Sequence, residues 1–233
     1  MLLLVAFPSF LLPSTKTRPG SPGPDTLGGL RLRILIVRHG ATFWSVTGQY
    51  TGRTDLPLTE SGETESRALA PFLQEFRPLL VLSSPLSRAL LTAELAGFGS
   101  VLETDADLME WNYGLYEGRK SSDIRQQSPD WDLWRDGAPG GENAFEVSRR
   151  ALRVLARARN VPGDTLLFSH AHFLRVLIAT WLTLPPEAGR HFVLPTGRLS
   201  ILGTDHDCPA LLALNLSPFS DNPHPFRLKE SHP

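Results

Sequence analysis

The sequence predicts an α/β fold: a doubly wound, mostly parallel sheet with helices on both faces. Three observations lead there. Short continuous apolar runs of strand length alternate with longer segments whose apolar residues recur at helical spacing. The strand-then-helix unit that begins at residue 33 recurs near 79 and again near 164, and parallel strands joined through helices require crossovers that cover both sides of a sheet. At 233 residues with 41% hydrophobic content, the chain is also long enough to bury one substantial core without disulfides.

The chain opens on its longest apolar run, Met1 to Pro13, which is 13 residues long and interrupted at Pro8. That falls short of the roughly 20 residues that span a bilayer. As a signal peptide it lacks a positive n-region and a small-residue cleavage site, since the first lysine, Lys16, follows the run. Residues 14 to 30 are rich in Pro, Gly, Ser and Thr without an apolar period. We therefore expect a flexible or disordered segment at 1–30, a main domain at 31–217 and a C-terminal tail at 218–233.

Regular structure begins at Arg33 to Val37 (RILIV), a run suited to a strand buried on both faces, which ends in Arg38-His39-Gly40. Thr59 to Phe76 opens with Thr and Ser capping candidates and early Glu, then sets Leu69, Phe72, Leu73 and Phe76 at helical spacing. Leu79 to Leu82 reads as a second strand leading into Ser83-Ser84-Pro85, and Leu86 to Ala96 as a helix. Late in the chain, Asp164 to Phe168 reads as a strand running into Ser169-His170, followed by a helix from Phe173 to Leu184. No internal repeat is present.

In such sheets, ligands bind beyond the carboxyl ends of the strands. Arg38 and His39 follow the first strand, Arg88 opens the helix after the second, and His170 follows the late strand. Each residue alone is unremarkable. Together at one sheet edge they describe an oxyanion site, with phosphate the best-fitting ligand. The anion has to be bound locally: 23 Lys and Arg stand against 24 Asp and Glu, a net charge of −1, so no basic field attracts nucleic acid or anionic lipid. A single cysteine, Cys208, excludes an intrachain disulfide and any C-x-x-C motif, which favours a reducing, cytoplasmic setting.

Over residues 31 to 217 the chain resembles the histidine phosphatase superfamily, also called phosphoglycerate mutase-like. The R-H-G signature stands as Arg38-His39-Gly40 and the S-S-P-x-x-R-A-x-x-T-A signature as Ser83 to Ala93. The substrate loop stands as Gly48 to Thr59 (GQYTGRTDLPLT), the acidic segment as Leu108 to Gly118 (LMEWNYGLYEG), and the second histidine as His170. The Gly48 to Thr59 run, Glu110-Trp111, Trp131 to Gly137 and Gly141-Glu142 are most similar to the sugar-phosphatase branch typified by sedoheptulose-1,7-bisphosphatase. One departure is Ala171, where the family usually has glycine after the second histidine; it matters if that backbone needs a positive φ.

The resemblance implies a set of roles. Arg38 and Arg88 grip and neutralise the phosphate, His39 attacks phosphorus to form a phosphohistidine, and a carbonyl such as that of Gly40 fixes its tautomer. His170 hydrogen-bonds an equatorial oxygen, and Glu110 acts as general acid and then base. Ser45, Gln49, Thr51, Gly52 and Tyr113 match positions that contact phosphate or the rest of the substrate, against the alternative of ordinary loop and turn residues. Trp131 and Trp134, at i and i+3 on a predicted helix, read as packing. His172 reads as opening its helix and stays outside the catalytic set.

Among metal patterns only His170-Ala171-His172 is nominally H-x-H, and without a nearby acid it is a poor site; no P-loop occurs. The expected protein is therefore a metal- and cofactor-independent phosphatase of a small phosphorylated metabolite, a sugar phosphate, without nucleic-acid or membrane partners and with homo-oligomerisation open. The rivals are a phosphoglycerate mutase and a non-catalytic phosphate-sensing module.

Overall fold

The computed structural model describes residues 32–219, so the expectations for 1–30 and for most of 218–233 lie outside the described residues. Six strands form one sheet in the order β3-β2-β4-β1-β5-β6: β1 (Ile34–Arg38), β2 (Leu80–Ser83), β3 (Leu102–Thr104), β4 (Thr165–Ser169), β5 (Leu199–Asp205) and β6 (Cys208–Leu216). The β3-β2, β2-β4 and β4-β1 pairings are parallel. The β1-β5 and β5-β6 pairings are antiparallel, an edge hairpin absent from the sequence reading.

Seven α-helices are described: α1 (Phe43–Thr47), α2 (Glu60–Leu73), α3 (Ser87–Leu95), α4 (Ser121–Gln127), α5 (Leu133–Asp136), α6 (Ala144–Arg159) and α7 (Ala171–Trp181). The two faces of β1 enter different cores. Ile34 and Ile36 join Leu82 and Leu167 against Val147, Val154 and Leu155 of α6 and Phe173, Leu177 and Ile178 of α7. Leu35 and Val37 join Val81, Leu166 and Phe168 against Leu69, Phe72 and Leu73 of α2 and Ala93 of α3. Burial on both faces is why these strands are continuously apolar rather than alternating.

Several boundaries differ from expectation. The first long helix begins after its cap Thr59, whose hydroxyl accepts from Gly62 N, and gives way at Gln74–Phe76 to a 3₁₀ turn. The last helix starts at Ala171 and ends at Trp181, with Thr183 at a φ of 58° stopping it. Its early start has a tertiary cause: its first turn is capped by the Glu110 carboxylate from another part of the chain. Trp131 lies before α5 rather than on a helix with Trp134, though both are buried.

Candidate active site

The sheet order places the end of β4 between the ends of β1 and β2, so that three strand-to-helix turns converge. The register pairs Arg38 with Ser169 and Ser83 with Phe168, which sets His39, Ser84 and His170 at one level. The His39 amide donates to Ser169 O at 3.0 Å, and the Ser84 amide to Phe168 O at 3.0 Å. Gly40 fits this turn because α2 crosses it closely: a Cβ there would stand 2.2 Å from Gly62 O. Thr92 of α3 joins the same turn by accepting from Gly40 N at 3.0 Å.

His39 is buried, and its Nδ1 donates to Gly40 O at 2.7 Å. A carbonyl only accepts, so Nδ1 carries the proton and Nε2 keeps its lone pair. Burial first, then the charges of Arg88 and Arg38, push the His39 pKa well below the usual histidine range, against the opposing Gly40 bond. The ring is therefore neutral at neutral pH.

His170 sits behind it, ring centroids 5.1 Å apart and planes at 59°. Arg88 Nε donates to His170 Nδ1 at 3.1 Å, which leaves Nε2 to donate to Ser84 Oγ at 2.8 Å. Burial, then Arg88, push its pKa down as well. Arg88 also donates through Nη1 to Thr54 O (2.9 Å) and through Nη2 to Thr51 O (3.2 Å) and Gly52 O (2.9 Å). Arg38 donates through Nη1 to Leu194 O at 2.6 Å, while its buried Nε has no partner.

A cavity of about 330 Å³ opens over this cluster. Arg38, His39 and Glu110 line it, together with Ser45, Gln49, Thr51 and Tyr113. Arg88, His170 and Gly52 do not; they form the layer behind. A Cβ on Gly52 would come within 2.5 Å of Glu117 Oε2 and 2.7 Å of Trp111 O, so close packing accounts for that glycine. The Ser45 hydroxyl is engaged in the α1 cap, and Gln49 Nε2 donates to Gly118 O at 2.9 Å. Ala171 lines the cavity as the first residue of α7 and is not among the positive-φ residues, so its methyl costs no backbone strain.

Glu110 is almost fully buried at 4% exposure. Its Oε1 accepts from Trp111 N (2.9 Å) and Phe173 N (2.8 Å), and its Oε2 from His172 N (3.1 Å). It thus stands at the α7 N-terminus, with both carboxyl oxygens oriented by backbone N–H groups.

Two titratable cavity residues lie outside the site set expected from sequence. His172 and Arg175 lie one turn apart on α7 and both line the cavity. Tyr113, whose pKa burial pushes well above the usual phenol value, keeps its proton, and its hydroxyl hydrogen-bonds His172 Nδ1 at 2.7 Å. The i, i+3 spacing just after a strand end was the available signal. His170 and His172 hold different partners, and among the described residues no group of three or more His, Cys, Asp or Glu side chains could hold a metal ion.

A neutral, buried histidine flanked by arginines at the strand ends of an α/β sheet is an arrangement suited to handling a phosphoryl group. The family model of the Histidine phosphatase superfamily (branch 1) matches residues 34–217. An acid phosphatase of Mycobacterium tuberculosis is 39% identical over 79% of this chain and 93% of its own length. The sedoheptulose 1,7-bisphosphatase of Saccharomyces cerevisiae is 36% identical over 65% of this chain and 68% of its own. A solved structure of an open reading frame product from M. tuberculosis superposes with a TM-score of 0.77 at 39% identity, covering 80% of this chain and 98% of that one. The chain belongs to the histidine phosphatase superfamily and is a phosphoric monoester hydrolase. No helix among the described residues is long and apolar enough to cross a membrane.

Proposed function

We propose that this protein is a metal-independent phosphatase of a small phosphorylated metabolite, a sugar phosphate, acting in the cytoplasm through a phosphohistidine on His39. The observation that carries the reading is the pairing of two groups: His39 Nε2, a free lone pair on a neutral ring, and Arg38 Nε, a buried donor with no protein partner. One suits an electrophilic phosphorus and the other a phosphoryl oxygen.

In the first step His39 Nε2 bonds to phosphorus, the ester P–O bond breaks, and the leaving alkoxide takes a proton from Glu110. In the second, Glu110 takes a proton from water, the water oxygen bonds to phosphorus, the P–N bond breaks and inorganic phosphate leaves. Arg38 neutralises the equatorial oxygens throughout, and Arg88 holds His170 in place. His170 engages the phosphoryl group by exchanging its Ser84 bond for an oxygen. The sugar rests against the polar wall of Gln49, Thr51, Tyr113 and His172. A sugar bisphosphate is the natural choice of first substrate, given the sedoheptulose 1,7-bisphosphatase relative.

A phosphoglycerate mutase is disfavoured because Trp111, next to Glu110, is fully buried with its indole N–H given to Glu142 O, and Arg119, Arg125 and Arg135 stand away from the cavity. A non-catalytic phosphate sensor needs neither a nucleophile nor an acid. The test is acid-labile, alkali-stable labelling of the enzyme by ³²P-substrate, followed by phosphate release across a panel of sugar phosphates. Turnover without label, or no phosphate release from any sugar ester, would overturn the reading.

A further inference from the structure

We propose that Arg150 and Glu142 form a clamp that positions Glu110 for proton transfer; the inference rests on Glu110 being the general acid. The segment from Met109 to Tyr113 belongs to no strand or helix, so no ladder holds the backbone that carries Glu110. Arg150, on α6, supplies the missing partners. Its Nη1 donates to Asp107 O (2.6 Å) and Met109 O (2.8 Å), its Nη2 to Glu110 O (3.4 Å) and Glu142 Oε2 (2.9 Å), and its Nε to Glu142 Oε1 (2.8 Å). A guanidinium has five N–H groups, and here all five are used.

Glu142 closes the other side. Its Oε2 also accepts from Asn112 N at 2.8 Å, its amide donates to Asn112 O at 2.9 Å, and its carbonyl accepts the Trp111 indole at 2.7 Å. The clamp reaches the carboxylate as well as its backbone: the Arg150 guanidinium stacks on the Phe173 ring, 5.0 Å from its centroid, and the Phe173 amide is a donor to Glu110 Oε1. Arg150 and Glu142 are thus positioning residues, one contact removed from the acid. Lysine, with three donors on one atom, cannot reproduce the fan of five.

A structural role alone would lower every rate together, whereas a displaced acid is felt in proportion to the basicity of the leaving group. The experiment measures kcat/KM, which reads phosphoryl transfer to His39 and not the later hydrolysis shared by all substrates, on a sugar phosphate, whose alkoxide needs a proton, and on p-nitrophenyl phosphate, whose nitrophenolate leaves unaided, for wild type, Glu110→Gln, Arg150→Lys and Glu142→Gln. Glu110→Gln is expected to lose about 10²-fold or more on the sugar ester and much less on the aryl ester. Arg150→Lys and Glu142→Gln should show the same split at about tenfold or more on the sugar ester. The ratio of the two rates is independent of the folded fraction, and the near-isosteric Glu142→Gln stands in if Arg150→Lys folds poorly. A split for Glu110→Gln with equal losses in both clamp variants would overturn the clamp alone. No split for Glu110→Gln would overturn the acid assignment and the clamp with it.

Discussion

The rings of His39 and His170 lie 5.1 Å apart because β1 and β4 run parallel with Arg38 opposite Ser169. Each histidine is the first residue past its strand, and each has a different proton arrangement, since His39 Nδ1 faces a carbonyl and His170 Nδ1 faces a guanidinium. The first leaves a nucleophilic nitrogen free; the second makes its ring an acceptor on one side and a donor on the other. Roles that look interchangeable in sequence are separated by the partner of one nitrogen.

His39→Ala should therefore abolish turnover, with a loss of at least ~10³-fold, roughly 4 kcal/mol of barrier. Steady-state kinetics with a sugar phosphate checks it. Retention of more than about a tenth of wild-type turnover would contradict covalent catalysis by His39.

Stability should fall on acidification. Burial holds His39, His170 and His172 neutral in the folded state, well below the usual range, while the unfolded chain takes up protons near about pH 6.5. Below that value the unfolded state binds more protons, so the histidine contribution is complete above it and is lost as pH drops. Melting temperatures followed from about pH 7.5 to about pH 5 should fall, and His172→Gln should flatten the slope. An unchanged slope in the variant would show that His172 titrates normally.

Gly40→Ala should cost stability at a point where no rotamer can relieve the clash, since the new Cβ meets the backbone oxygen of Gly62 at 2.2 Å. Overpacking of this kind costs about 1–3 kcal/mol. For a domain of this size that is a melting-temperature drop of ~2–10 °C. A melting curve superimposable on wild type would show that α2 shifts freely away from the turn.

Chelator should leave the rate unchanged, and orthovanadate, which adopts pentacoordinate geometry, should inhibit. The grounds are the side chains: His170 and His172, the H-x-H pair of the sequence, are committed to Ser84 and Tyr113. Loss of activity in EDTA restored by a divalent cation would contradict this.

Hydrolysis should outrun phosphoryl return. Given 3-phosphoglycerate with catalytic 2,3-bisphosphoglycerate, and separately a sugar bisphosphate, the enzyme should release phosphate from the sugar ester faster than it makes 2-phosphoglycerate. Arg175 is the cavity cation besides Arg38. If it holds the glycerate carboxylate well enough to retain the intermediate, 2-phosphoglycerate will form faster, and the mutase replaces the phosphatase.

Much of this site is legible before folding. The apolar runs that become β1, β2 and β4 end where chemistry begins, so Arg38-His39, Ser84 to Arg88 and His170 can be placed at one sheet edge from local pattern alone. Strand burial and helix periodicity are short-range properties, carried by neighbouring residues. The parts that were illegible all depend on distant partners. The start of α7 is set by a carboxylate more than 60 residues away, and the loop glycine Gly52 by Glu117 and Trp111 packed on it. His172 and Arg175 entered the cavity only once α7 was laid over the strand ends, and the β5-β6 hairpin only once β5 paired with β1. The order of β2, β4 and β1 decided which charges became neighbours, and with it which histidine keeps a free nitrogen. A proton's position depends on which groups lie within about 3 Å, and that distance is a property of the packed chain.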